Sequence, residues 1–367
     1  MSVLKPWLYE SYKEVVQAFK LGRLPSALII SGDRGLKTDI LALEIAKLYL
    51  CRENKDGLPC GSCPSCRLFS QDFTLDNEGN SVSIADFLAV LSSTKDEFEK
   101  ELDLSHRPFD LLHNTNKGSA VSLRIDTLRR FQEWVMESSM GNNGKVAVIS
   151  NAHLMQSSAQ NAILKTFEEP PKDTLIIMLT NSLSALLPTI LSRAYKISIP
   201  SPDLKTGILE LQGLNIDRDK AALALSLNSY IPDDSYKMIV DGRLDHAMKI
   251  LNALVNALSF RKDSSEFIAL IFEQNKEAKA PILSLDEIRS LLQVFISSLL
   301  KYKAHVDLAY LPLMLALNCT ALANIKAEKL FLAHKMLNNL QSGLNRTPLR
   351  APQAFFRDFV ASLNSRN

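Results

Sequence analysis

Apolar positions along the 367-residue chain fall into two regimes that meet near residue 200. Before that point, short continuous apolar runs alternate with stretches of helical periodicity. The runs are Ala27-Leu28-Ile29-Ile30-Ser31, Lys145-Val146-Ala147-Val148-Ile149-Ser150, Thr174-Leu175-Ile176-Ile177-Met178-Leu179-Thr180 and Tyr195-Lys196-Ile197-Ser198-Ile199. Runs that are apolar on both faces belong to parallel strands covered by helices on each side, so the pattern predicts an α/β domain. Helical spacing follows the first run from Ile40 to Leu50. It follows the second run from Ser157, where Gln160 three residues on predicts a capping box and Ala159, Ala162, Ile163, Thr166 and Phe167 share one face. Pro170-Pro171 then ends that helix.

Pro200-Ser201-Pro202-Asp203 reads as a linker. Beyond it strand signal fades and helical periodicity takes over, predicting an all-helical second half. Ile239-Val240-Asp241-Gly242-Arg243 is a candidate boundary there, closing a small bundle before a longer one. The apolar-rich stretch Ile288 to Leu300 suits either a domain core or an oligomer interface, and Lys301 and Lys303 after it read as solvated charges. The polar segment 76–119, with its charged run Lys95-Asp96-Glu97-Phe98-Glu99-Lys100-Glu101, reads as an insertion at the rim of the sheet.

Composition narrows the class. Hydrophobic residues make up 46%, yet no apolar run approaches membrane-spanning length, and Met1 to Leu8 lacks the apolar core and cleavage site of a signal peptide. The expectation is a cytoplasmic protein of two or three domains with no membrane partner. Basic and acidic residues, 42 against 40, nearly cancel, which excludes a polybasic nucleic-acid wrapper or a polyanion mimic.

Four of the five cysteines, Cys51, Cys60, Cys63 and Cys66, lie at the spacing C-x8-C-x2-C-x2-C. Paired C-x2-C steps let thiolates converge on one tetrahedral ion, and Gly61 and Pro64 supply the tight turns. Zn2+ is the expected metal. With no acid, base or open coordination position nearby, a closed structural site is favoured over a catalytic one. Two disulfides or four free thiols are the alternatives, and the expected compartment weighs against both. Arg52, Lys55 and Arg67 offer some charge for a free-standing zinc-dependent DNA-binding module, although Glu53 and Asp56 lie among them.

The first strand runs into Gly32-Asp33-Arg34-Gly35-Leu36-Lys37-Thr38-Asp39 and then a helix, which is the context of a phosphate-binding loop. The template G-x4-G-K-[ST] fails in either register. With Lys37 and Thr38 as the phosphate lysine and magnesium hydroxyl, the glycine positions fall on Ser31 and Leu36. With Gly32 as the first glycine, Lys37 takes the second glycine position, Thr38 the lysine and Asp39 the hydroxyl. The next strand ends Ile149-Ser150-Asn151-Ala152-His153, without the acidic pair that holds magnesium and orients water. No ATP hydrolysis is expected, and Gly32 and Gly35 are read as shaping a strand-to-helix turn.

Taken together, the altered phosphate loop and the cysteine quartet after its helix carry a family likeness. So do Asn161-Ala162-Ile163-Leu164-Lys165 continuing to Glu168-Glu169-Pro170-Pro171, the strand ending Thr180-Asn181, and Leu191-Ser192-Arg193-Ala194. The chain resembles the delta-prime subunits of bacterial DNA polymerase III clamp loaders. The likeness covers roughly residues 8–202; Ile125-Asp126-Thr127-Leu128-Arg129 and Leu344-Asn345-Arg346-Thr347-Pro348-Leu349 match further family features. Matching without gaps from Ala27 to Cys51 favours the register with Asp39 at the hydroxyl position.

The resemblance implies an AAA+ fold of the P-loop type. Its parts are a RecA-like α/β domain over 1–200 with a zinc module at 51–66 and the insertion at 76–119, a helical lid over 201–242, and a helical collar for oligomerisation over 243–367. It implies a stator without ATPase activity that works with motor subunits (gamma or tau) and a delta subunit to place a sliding clamp on primed DNA. The family's serine-arginine-cysteine motif reaches into the neighbouring motor's ATP site, and it maps onto Ser192, Arg193 and Ala194. Alanine replaces the cysteine while the arginine, which can stabilise charge on a transferred phosphoryl group, stays. An ATP-hydrolysing motor using Lys37 and Thr38 is the competing function.

Overall fold

A computed structural model describes residues 4–54, 56–63, 65–66, 72–74, 81–83, 111–114, 132–133, 135–136, 144–260, 263–274, 281–317, 322, 324–344 and 352–364. The chain separates into two compact units, Met1–Ser201 and Pro202–Asn367, with the break inside the proline-bracketed linker.

The first unit is a parallel α/β layer structure. Its strands are β1 (Ala27–Ser31), β2 (Asp72–Thr74), β3 (Ser81–Ser83), β4 (Leu111–Asn114), β5 (Lys145–Ile149), β6 (Thr174–Thr180) and β7 (Tyr195–Ser198). Five of them form one sheet in the order β4-β5-β6-β1-β7 with every pairing parallel, while β2 and β3 make a separate antiparallel pair. Helices α1 (Tyr9–Lys20), α2 (Thr38–Leu50), α3 (Ser157–Glu168) and α4 (Pro188–Leu191) also belong to the unit.

Double-sided burial explains the unbroken apolar runs. Ile29, Ala147, Ile149, Ile176 and Met178 pack with Ala159, Ile163 and Phe167 of α3 and Ile190 of α4. The alternate residues Leu28, Ile30, Val146, Leu175 and Ile177 are also fully buried, and α2, with Leu41, Ile45 and Leu48 buried, packs against β1, β5 and β6. Each such side chain contributes roughly 1.5–3 kcal/mol of transfer free energy, which is why the central strands carry no polar alternation. Gly144 is fixed by crowding: it has φ +87°, and a Cβ there would lie 2.5 Å from the Asp173 carbonyl oxygen that accepts the Lys145 N–H at 2.8 Å.

β4 departs from the sequence expectation. It lies within the 76–119 stretch read as an insertion, yet it is the edge strand of the main sheet, in register with β5 through Leu111↔Val146 and Asn114↔Ile149. An edge strand pairs on one side only, and Leu111-Leu112-His113-Asn114 has two apolar residues, too few to signal a strand. The charged run 95–101 and Ile125 to Arg129 lie outside the described residues, as does the family-like turn from Asn345 to Leu349.

The second unit is helical: α5 (Leu204–Gln212), α6 (Arg218–Leu227), α7 (Pro232–Val240), α8 (Arg243–Phe260), α9 (Ser265–Ile271), α10 (Leu285–Lys303), α11 (Pro312–Ala316), α12 (Ala327–Leu344) and α13 (Pro352–Asn364). A small cluster of Leu211, Ala221 and Leu225 joins α5 to α6. A larger core runs from Ala224 and Leu227 through α8, α10 and α12 to Phe359 and Leu363 of α13. The apolar stretch from Ile288 to Leu300 belongs to that core, with Ile288, Leu291, Leu292, Phe295, Ile296 and Leu299 buried. The marker Ile239 to Arg243 falls on the turn between α7 and α8, where Gly242 has φ +71°. Among the described residues no helix is long and apolar enough to cross a membrane.

Candidate functional site

Three places in the first unit carry candidate chemistry, and two of them are the opposite ends of α2. At its C-terminal end, Cys51 is the helix C-cap and its extended backbone turns the chain toward Cys60. Gly61 has φ +75°, the left-handed turn expected of it, whereas Pro64 lies outside the described residues. The Cys51 and Cys63 sulfurs are 3.9 Å apart, as are those of Cys60 and Cys66, and all four lie within 4.8 Å of one another. A disulfide would hold sulfurs at about 2.05 Å, so none of these is bonded. Four thiolates at about 2.3 Å around a tetrahedral ion sit about 3.8 Å apart. The quartet therefore fits one metal ion.

Backbone amides complete the set. The Cys60 N–H donates to the Cys51 sulfur at 3.2 Å, the Cys63 N–H to the Cys60 sulfur at 3.2 Å, and the Cys66 N–H to the Cys63 sulfur at 3.4 Å. Donation from the Ser62 and Cys63 amides pulls the Cys60 thiol down to about 6. Burial pushes the Cys51 and Cys66 thiols up. Two buried thiols thus resist ionisation unless a cation compensates them, which is the charge a metal supplies.

At the N-terminal end of α2 the loop Gly32–Lys37 leaves the C-terminal edge of the sheet, where α/β folds bind their ligands. The Gly32 N–H donates to the Thr180 carbonyl at 3.1 Å, and a Cβ on Gly32 would lie 3.0 Å from Thr38 Cγ2 and 3.2 Å from Ile199 Cβ. Gly35 has φ +91°. Lys37 is the N-cap of α2 at φ +60°, ψ +40°, a conformation that glycine adopts without strain. Leu36 is 1 % exposed, with Cδ1 reaching toward Gly32, and the Trp7 indole N–H donates to its carbonyl oxygen at 2.9 Å. An apolar side chain is packed at this loop, and Asp39 adds an acid to the first turn of α2.

The neighbouring strand ends are equally poor in phosphoryl-transfer groups. β5 is followed by Ser150 and by Asn151 at φ +53°, and burial lowers the pKa of His153. The Thr180 hydroxyl donates to the Ser182 carbonyl at 3.0 Å and accepts the Ser182 N–H at 3.1 Å, so it is engaged locally.

The third place is the turn after α4. Ser192 is its C-cap and donates through Oγ to the Thr189 carbonyl at 3.0 Å. The Arg193 guanidinium, partly exposed, donates to the Thr189 carbonyl at 2.9 Å and to Ser192 Oγ at 3.3 Å, and pairs with Glu168 Oε1 at 2.7 Å. Glu168 is the last residue of α3, ahead of Pro170-Pro171. The two motifs that look separate in sequence therefore meet in space.

What fixes α3 against this turn is not the expected capping box. The N-cap of α3 is Gln156, with no side-chain cap bond, and Ser157 is already inside the helix. Gln160 is buried instead. Its amide donates to the Met155 carbonyl at 3.1 Å and the Ala185 carbonyl at 2.9 Å, and its oxygen accepts the Leu187 N–H at 2.7 Å. Those long-range partners outcompete the helix's own end, a choice that S-x-x-Q spacing cannot register. A reciprocal capping box does form at Ser284 and Glu287, at the start of α10.

With this geometry in view, similarity to known proteins is informative. A "DNA polymerase III subunit delta'" of Haemophilus influenzae is 24% identical over 309 residues, covering 84% of this chain and 80% of that one. Its Escherichia coli counterpart is 23% identical, covering 74% and 70%. A "DNA polymerase III subunit gamma" of Buchnera aphidicola is also similar, at 23% identity over 72% and 65%. Among solved structures, a gamma subunit-related protein of Thermotoga maritima aligns over 96% of this chain and 97% of that one at TM-score 0.42 and 16% identity. The profile of the family described as "DNA polymerase III, delta subunit" matches residues 8–203, more than half of the chain. With its parallel α/β unit and helical second unit, this chain belongs to the delta-prime family of DNA polymerase III clamp-loader subunits.

Proposed function

We propose that this chain is the non-hydrolysing stator of a cytoplasmic clamp loader, holding zinc at Cys51, Cys60, Cys63 and Cys66 as a purely structural ion. It assembles with gamma or tau motor subunits and a delta subunit to load a sliding clamp on primed DNA. Residues 201–242 act as a lid and 243–367 as the oligomerising collar. Arg193, oriented by Ser192, enters the ATP site of the adjacent motor subunit and stabilises charge on the transferred phosphoryl group.

The observation that carries this reading is the packed loop between β1 and α2. Phosphate binding needs converging N–H groups and cationic charge. Here Leu36 is buried at the loop, Lys37 sits at a glycine-like backbone position, and Asp39 stands in the first helical turn. A chain of this family with such a loop contributes to ATP chemistry only through groups lent to a neighbour. The quartet's tetrahedral spacing, with four cysteines as the clustered ligands among the described residues, supports zinc in a structural role.

The test is ATP turnover measured twice. The purified chain alone shows none; motor-like turnover would place it with the gamma-type relatives instead. In the reconstituted complex, Arg193→Ala cuts clamp- and DNA-stimulated hydrolysis by roughly tenfold or more at the affected site while assembly is retained. Unchanged stimulated turnover would overturn the role given to Arg193.

A further inference from the structure

We infer that Glu168 is a positioning residue for Arg193, presenting its guanidinium to the phosphate of the neighbouring subunit. The inference rests on the trans-acting role proposed for Arg193 and names the residue that makes it work.

Glu168 stands where helix electrostatics disfavour it. It is the last residue of α3, at the partially negative end of the helix, and Glu169 follows as a second acid. The Arg193 guanidinium compensates that placement with an ion pair at 2.7 Å. The other edge of the fork is tied to the Thr189 carbonyl and Ser192 Oγ, so the plane is held from two sides. A guanidinium carries more N–H donors than three contacts use, and the remainder stay available to an incoming oxygen. Both partners are partly exposed, so the pair is weak in free energy and yields readily to phosphate. What it supplies is orientation rather than stability.

The frame behind the pair is rigid. Gln160 bonds α3 to the segment leading into α4, and Ile163 and Phe167 of α3 share a buried cluster with Leu186, Ile190 and Ala194. Pro170-Pro171 ends α3 and thereby sets where the Glu168 carboxylate projects. The helix carrying the acid and the turn carrying the arginine thus form one packed body.

The test uses the reconstituted complex with Glu168→Ala, Glu168→Gln, Arg193→Ala and the double variant Glu168→Ala/Arg193→Ala. Glu168→Ala should lower the stimulated kcat roughly three- to tenfold, with KM for ATP and assembly unchanged. Glu168→Gln, which keeps an acceptor oxygen, should recover most of that loss. In the double variant, Glu168→Ala should add nothing to Arg193→Ala. Wild-type turnover in Glu168→Ala, with Arg193→Ala impaired, overturns the inference alone. A Glu168→Ala loss that persists in the Arg193→Ala background also overturns it, by showing that Glu168 acts elsewhere. No effect of Arg193→Ala removes the trans-acting role and this inference together.

Discussion

The two ends of α2 began from comparable sequence signals and finish as opposites. Its N-terminal end has the strand-loop-helix context of an anion site, yet the loop is packed with Leu36 and flanked by Asp39. Its C-terminal end, the partially negative one, offers a cation only a weak attraction and one cysteine cap, yet three further sulfurs gather there within 4.8 Å. A backbone context is cheap to inherit, because any α/β crossover supplies it. Side chains of the right charge at the right point decide whether a site persists. One end of the helix gathers four thiols that could ligate a metal, and the loop at the other is filled by a buried leucine.

The largest effect that would break this contrast is at the thiol end. Cys63→Ser, or a strong chelator, should reduce bound zinc from about one ion per chain to near zero. The 51–66 segment should then lose its protection from amide exchange. Structural zinc contributes on the order of 10 kcal/mol in isolated zinc-binding peptides, so the loss should be visible as a lowered melting temperature. Thiol titration of the unfolded, unreduced protein that finds no free thiols there would show disulfides instead.

Next comes Leu36→Ala. If the loop is packed core, the change should destabilise the protein by about 2–4 kcal/mol in urea denaturation, like any buried leucine. A negligible loss would mean that the loop has room for a ligand.

Acidification should sharpen the thiol side further. Cys60 titrates at about 6 rather than 9, so its thiolate is favoured in the folded chain, and that advantage fades as pH falls through about 6. Zinc requires the thiolates, so it should be held at neutral and alkaline pH and released on acidification. Competition with a chromophoric chelator across that range reads the release directly.

The smallest effect is at Lys37. Lys37→Gly relieves a left-handed backbone and should stabilise the fold by about 0.5–1 kcal/mol without conferring nucleotide binding. ATP binding gained by this single change would show that the loop is only one residue from function.

Much of the molecule was legible in the residues. The central strands announced themselves because burial on both faces leaves no polar alternation, and the linker at Pro200 to Asp203 marks the break between units. The cysteine spacing told its own story, since ligand type and turn residues are local properties. β4 escaped notice because an edge strand needs little apolar character. The α3 cap was misjudged because Gln160 found better partners at Met155, Ala185 and Leu187. The stretch Ile288 to Leu300 suited core or interface equally until its neighbours were known; six of its side chains are buried within the second unit.

The sequence by itself determined the fold class, the division at the linker and the cysteine set that gathers as a candidate metal site, because each rests on periodicity or on spacing within a short segment. Only the tertiary structure decided that Leu36 packs at the phosphate loop and that Lys37 carries a glycine-like conformation. It alone joined Glu168 to Arg193, which lie far apart along the chain. Such contacts arise from how α3 and α4 pack on the sheet, and packing depends on surfaces that no local pattern encodes.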